Sequence, residues 1–111
     1  MLKRTNRLRK RSDFDLLRNK GEFWGGNLFG VSFLEEGEEG NRFGFIISKK
    51  ISKKAVDRNK IKRWLSEAVK KKLGNFEGKN LKMIFLVKRT ILEKKQEEVE
   101  KEVEKFIKLI K

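Results

Sequence analysis

Cysteine, histidine, proline and tyrosine are all missing from this chain of 111 residues. Without cysteine there are no disulfides, no thiolate zinc sites and no thiol nucleophiles. Without histidine a Ser-His-Asp triad, a Cys-His pair, a histidine general base and any histidine-ligated metal are excluded too. Glycine-rich phosphate cradles of P-loop or dinucleotide spacing are absent, which argues against a small-molecule substrate of that kind. Long apolar runs are also lacking. The longest, Met83 to Val87, spans five residues, against the roughly 20 that cross a bilayer, and no signal-peptide pattern opens the chain. The expectation is a soluble cytoplasmic protein with no membrane partner and little catalytic chemistry of its own.

Positive charge is what the chain has in excess. Thirty Lys and Arg face 16 Asp and Glu, a net charge of +14 and a pI near 10.2. A surplus of that size on a small protein concentrates polyanions around it, nucleic acid first among them. Nine Phe and two Trp supply enough bulk for a core, so general disorder is not expected. The length suits one domain, residues 1–111. Residues 1–11 carry Lys3, Arg4, Arg7, Arg9, Lys10 and Arg11 with no acid and read as a basic, flexible arm.

Hydrophobic periodicity orders the rest. Ser12 with Asp15 resembles a capping box, Phe14 and Leu17 are three apart, and Gly21 suits a C′ position, so 13–20 reads as a helix. Phe29, Val31 and Phe33 alternate, as do Phe43, Phe45 and Ile47, giving two strands that the acidic Glu35–Gly40 segment would join as an antiparallel hairpin. Its four carboxylates lack the Asp/Asn spacing of a calcium loop and read as a solvated turn. Phe23 and Trp24 suit a short extra strand. Between Ala55 and Leu73 the period becomes helical, Ile61, Trp64, Leu65, Ala68, Val69 and Leu73 sharing one arc, with Gly74 the expected C′ residue. Leu81 to Val87 is apolar on both faces and reads as a central strand. Leu92, Val99, Val103, Phe106, Ile107 and Ile110 mark a long final helix, acidic at its start and basic at its end as the helix dipole favours. The order predicts an α+β protein, one sheet with packed helices.

Most of the charge surplus falls in residues 49–72, where eleven Lys or Arg face only Asp57 and Glu67, a local charge of +9. At 100° per residue Asn59, Arg63, Ser66 and Lys70 gather opposite Ile61 and Leu65, with Lys62 on the flank. Arg can grip a phosphodiester with its planar fork and Lys as a point charge. Phe14, Phe29, Val31, Phe33, Phe43 and Phe45 could stack on bases where exposed, although an alternating Phe face ordinarily belongs to a core. No carboxylate pair is marked as a general acid or base. The residues alone describe an RNA- or DNA-binding α+β domain, with neither a catalytic nor a metal-binding residue of its own.

The run Arg58-Asn59-Lys60-Ile61-Lys62-Arg63, introduced by Ser48-Lys49-Lys50-Ile51-Ser52-Lys53-Lys54-Ala55-Val56, resembles the RNR signature helix of the protein subunit of bacterial ribonuclease P. Arg11-Ser12-Asp13-Phe14 with Leu17 and Gly21 matches that family's first helix, and Arg42-Phe43-Gly44-Phe45 matches the strand before the signature. Two positions depart from the pattern: Ser52 stands where the family often has Gly, and Ser66 where it often has Arg. The resemblance implies a two-layer α/β sandwich, one mixed sheet of about four strands with three helices and a left-handed βαβ crossover between Arg42 and Val87. It implies the non-catalytic protein subunit of a ribonucleoprotein endonuclease that removes the 5′ leader of precursor tRNA. Hydrolysis there belongs to the RNA subunit, with Mg2+ bound mainly by RNA and none held by the protein alone. By the same resemblance Lys49, Lys50, Lys53, Lys54, Arg58, Asn59, Lys60, Lys62, Arg63 and Lys70 would face the ribonuclease P RNA. Arg11, Phe14, Leu17, Phe29 and Val31 would line a cleft for the leader of precursor tRNA. The alternative is a ribosomal or other structural RNA-scaffold protein, which shares charge and size.

Overall fold

The computed structural model describes residues 7–8, 11–37, 40–76 and 78–110. Its elements in chain order are α1 (Arg11–Lys20), β1 (Glu22–Gly25), β2 (Phe29–Glu35), β3 (Arg42–Ile46), α2 (Ala55–Lys71), β4 (Leu81–Val87) and α3 (Gln96–Ile110), with 3-10 turns at Leu73–Phe76 and Arg89–Glu93. The four strands form one mixed sheet in the order β1-β2-β4-β3. β4 runs antiparallel to β2, from Phe29 opposite Val87 to Glu35 opposite Leu81. It runs parallel to β3, which therefore reaches it through the βαβ unit β3–α2–β4. Three helices on a mixed four-stranded sheet make the expected α+β sandwich.

Strand alternation decides what lies on each face. Phe29, Val31, Phe33, Met83 and Phe85 point toward α2 and α3 and build the main core with Ile61, Leu65, Val69, Val99, Val103 and Phe106. Rings mesh across it, Phe29 to Phe85 at 5.2 Å and Phe33 edge-on to Phe106 at 5.3 Å. On the opposite face Leu8, Leu17 and Ile84 form a smaller cluster beneath α1, with Phe14 and Leu34 against it. The two-sided apolar character of β4 serves both cores.

Several expectations are corrected. The alternating strands around Glu35–Gly40 do not form a hairpin, because β4 inserts between β2 and β3 and satisfies both; Glu38 and Glu39 lie outside the described residues. The short strand at Phe23–Trp24 is instead the hairpin partner of β2, with Trp24 opposite Val31. α1 begins two residues earlier than expected, at Arg11. Its stop is as read: the Gly21 amide bonds the Leu17 carbonyl at 3.0 Å, and a Cβ at Gly21 would sit 2.5 Å from that oxygen. α2 ends at Lys71, and Gly74 is not a left-handed cap. The chain keeps turning to seat Phe76 in the core against Phe43, and the left-handed glycine before β4 is Gly78, at φ 81°. Leu92 sits outside α3, exposed on the 3-10 turn that buries Ile91. α3 opens where the Glu98 carboxylate takes the Lys95 amide at 2.9 Å, the returning half of a capping box.

The arm is corrected in part. β3 is an edge strand, whose outward amides and carbonyls call for partners. Arg7 bridges to Phe43 in parallel, and the Leu8 amide donates to the Phe43 carbonyl at 2.8 Å. Leu8 is buried and Arg11 begins α1, so these three residues belong to the folded body. Residues 1–6, 9 and 10 lie outside the described residues. Among the described residues no helix is long and apolar enough to cross a membrane.

Candidate nucleic-acid interface

Lysines crowded on a short turn repel one another, and that turn needs fastening. Between β3 and α2 two serines supply it, each accepting a backbone amide two residues on: Lys50 N–H to Ser48 Oγ and Lys54 N–H to Ser52 Oγ, both 3.2 Å. Such side-chain turns fix a local bend without a partner element. The Ser52 hydroxyl in turn donates to Asp57 Oδ2 at 2.9 Å. Arg58 Nη1 donates to the Ser52 carbonyl and Arg89 Nη2 to the Lys50 carbonyl, both 2.7 Å. Held at these points, the turn presents Lys49, Lys50, Lys53 and Lys54 exposed to solvent.

The outer face of α2 continues that surface. Asn59, Lys60, Lys62, Arg63 and Lys70 are all exposed, and the Lys60 ammonium lies over the Trp64 ring at 4.9 Å. Nine of the ten residues expected to face catalytic RNA are therefore exposed polar groups on one turn and helix. Arg58 is the exception, half-buried and spent on the Ser52 carbonyl. Ser66 is also corrected: although the helical wheel groups it with Asn59 and Arg63, it is 2% exposed at the edge of the buried arc.

The expected α1 cleft is redrawn by strand parity. Phe29 and Val31 are 0% exposed and face the main core, the opposite side of the sheet from α1, and Leu17 at 1% is packing rather than lining. The α1 face carries the intervening positions. A groove of about 140 Å³ runs there between Phe14, Arg18, Ser32, Ile46, Ile84 and Leu86. Ile46 and Leu86 are unusually open for aliphatic residues. Of the predicted lining, Phe14 is in the groove, and Arg11 is exposed at the start of the helix above it. Arg18, Ile46 and Leu86 were missed; the signals that could have found them are strand parity for Ile46 and Leu86, which sit out of phase with the Phe positions, and the i, i+4 spacing from Phe14 for Arg18. α1 is pinned over the sheet by Asp13, 3.0 Å from Lys82, and by the Ser32 hydroxyl on the Leu17 carbonyl.

Among the described residues no group of three or more acidic, His or Cys side chains is placed to hold a metal ion. What the assembled surfaces can do is bind: a fixed cationic ridge suits phosphates, and an aromatic–aliphatic groove suits unpaired bases.

The ribonuclease P family model matches residues 2–111 of this chain. The ribonuclease P protein component of Alkaliphilus oremlandii is 34% identical over 100 residues, covering 89% of this chain and 85% of that protein. That of Fusobacterium nucleatum is 33% identical over 100 residues, covering 90% and 88%. Among solved structures, the ribonuclease P protein from Thermotoga maritima superposes with a TM-score of 0.83 at 27% identity, over 95% of this chain and 97% of that one. The one from Staphylococcus aureus does so with a TM-score of 0.75 at 26% identity, over 98% and 92%.

Proposed function

The chain belongs to the ribonuclease P protein family, and from that premise we propose that it binds the catalytic RNA and the 5′ leader of precursor tRNA, promoting endonucleolytic maturation of the tRNA 5′ end in the cytoplasm. The observation that carries this reading is the fastened lysine turn and the outer face of α2, nine exposed polar residues on one rigid ridge. Packed RNA helices repel one another, and a ridge of fixed cations lowers that repulsion without the entropy loss of ordering free lysines.

On this reading the activated water would come from magnesium ions bound mainly by phosphates of the RNA subunit. The chain's own residues neutralise and position. Lys49, Lys50, Lys53, Lys54, Asn59 and Arg63 hold the RNA subunit. Phe14 and its groove neighbours hold the single-stranded leader, which distinguishes precursor from product.

The test is cleavage of precursor tRNA by a bacterial ribonuclease P RNA at low magnesium, with and without this chain. Restored cleavage at the 5′ boundary is expected. If the chain binds the RNA yet leaves the magnesium requirement unchanged, it is a scaffold protein and the proposal fails.

A further inference from the structure

We propose that a pocket on the outer edge of β3 is a subsite for one pyrimidine base of single-stranded RNA, with Lys62 against the adjoining phosphate; the inference rests on the RNA-binding reading above. Among the described residues, Arg7 and Leu8 cover the edge of β3 as far as Phe43. Because backbone polar groups alternate sides along a strand, Phe45, two residues on, turns its N–H and C=O to the same outer edge. A pocket of about 140 Å³ opens there, between Phe14 of α1, Phe43, Gly44 and Phe45 of β3, and Lys62 and Ser66 of α2.

Size sets the ligand class. A protein cavity of about 150 Å³ accommodates one benzene ring, so this pocket suits a single six-membered ring and is small for a fused purine. Gly44 keeps it open, since a Cβ at that position would already touch Leu8 and Phe14 at 3.4 Å. Its walls offer what a pyrimidine needs. Phe14, half-buried at its wall, offers a ring for stacking. Ser66 is almost wholly buried yet lines the space, and among the described residues its hydroxyl has no hydrogen-bond partner. A hydroxyl both donates and accepts, and so does the strand edge at Phe45, matching the alternating carbonyl and N–H edge of uracil.

Charge selects a nucleotide over a neutral ring compound. Lys62 lies one helical turn before Ser66 and is exposed, placing an ammonium beside the pocket. Phe14 also lines the groove between α1 and the sheet. A strand lying in that groove therefore passes Phe14 before it reaches Lys62, and one base along it can turn into the pocket.

The experiment compares binding of oligouridylate and oligoadenylate of equal length to the intact chain, and maps photocrosslinks from an oligonucleotide carrying 4-thiouridine. Oligouridylate is expected to bind about 3- to 10-fold more tightly, the worth of one or two well-placed hydrogen bonds, with crosslinks in the segments containing Phe14, Phe43–Phe45 or Lys62–Ser66. Since adenylate self-stacking alone would favour uridylate, the Ser66 variants decide. Ser66→Leu fills the pocket and should abolish both the preference and the crosslink. Ser66→Ala removes only the hydroxyl and should reduce the preference even if Ser66→Leu fails to fold. Equal binding of the two oligonucleotides, crosslinks elsewhere, or full preference in Ser66→Ala overturns the subsite. Failure of low-magnesium cleavage overturns the ribonuclease reading instead, so the two results are separable.

Discussion

The Ser52 hydroxyl donates a 2.9 Å hydrogen bond to the Asp57 carboxylate, tying the lysine turn to the first turn of α2. Neither residue needs to touch RNA for this bond to matter. Ser52→Ala frees the turn and should weaken binding to ribonuclease P RNA by roughly 2- to 10-fold, the range for one hydrogen bond. The slope of log affinity against log salt should stay unchanged, because no phosphate contact is lost. Lys53→Ala should lower that slope by about 1. A titration series at several salt concentrations separates them, and a slope change in Ser52→Ala would make Ser52 an RNA contact.

The salt response of the unmodified chain is a second measure. If the ridge meets about 6 to 10 phosphates, affinity should fall about 10³- to 10⁵-fold between roughly 50 and 200 mM salt as counterions are released. A nearly flat response would contradict a backbone-dominated interface.

Phe14 and Phe29 should behave as opposites. Phe29→Ala empties a fully enclosed site and should cost about 3 to 5 kcal/mol of stability. Phe14→Ala, half-buried under α1, should cost less and instead weaken precursor tRNA while sparing mature tRNA, which has no leader. Thermal unfolding together with the two binding assays checks this. Equal loss for both tRNAs with a large fall in Tm would make Phe14 a packing residue only.

Periodicity made much of this fold legible. The arc of α2 and the limits of β4 follow from residue spacing, because one buried face leaves a period and two buried faces leave none. Alternation at Phe29, Val31 and Phe33 shows that they share a face. It does not show which of two covered faces that is, and so Phe29 and Val31 were expected beneath α1 although they face the main core. Nor does it name a strand's neighbour, which is why an adjacent hairpin was expected where β4 intervenes. The fastening of the lysine turn was hidden for a different reason: Arg89 reaches the Lys50 carbonyl from 39 residues away, and no local pattern records such a contact. Ser52 was visible only as a departure from the family, without its partner Asp57.

Glu102 offers a test of the loop that links β1 to β2. It is 4% exposed and its carboxylate accepts the Leu28 amide. Glu102→Ala strands that amide and should destabilise the protein by about 1 to 3 kcal/mol. Glu102→Gln keeps an acceptor oxygen and should cost less. Denaturant unfolding of both variants checks the order, and equal losses would remove the hydrogen bond as the cause.

The seam between α2 and α3 titrates. Lys72 lies 2.8 Å from Glu104 and holds its carboxyl below the ordinary carboxylate pKa, first through the hydrogen bond and then through charge. A depressed folded-state pKa means stabilisation that is present above the unfolded value and lost as pH falls through the folded one. Glu104→Gln should therefore flatten the acid limb of Tm against pH slightly, the pair being exposed to water. No change on that limb would show the bridge to be without effect on folding.

The position of β4 also dictates when the molecule can fold. Both neighbours of this strand are synthesised well before it, and until β4 emerges a chain growing on the ribosome can pair β1 with β2, and Arg7–Leu8 with β3, but cannot join the two halves of the sheet. Through that interval the Phe29–Phe33 and Phe43 faces have no central strand to close against, and the last wall of the core, α3, is later still. Closure thus waits for β4 and α3 and depends on contacts distant in sequence, the kind that slow folding. A nascent chain arrested before β4 would present its phenylalanine faces to whatever chaperone is nearest, whereas the finished one buries them together in a single late step.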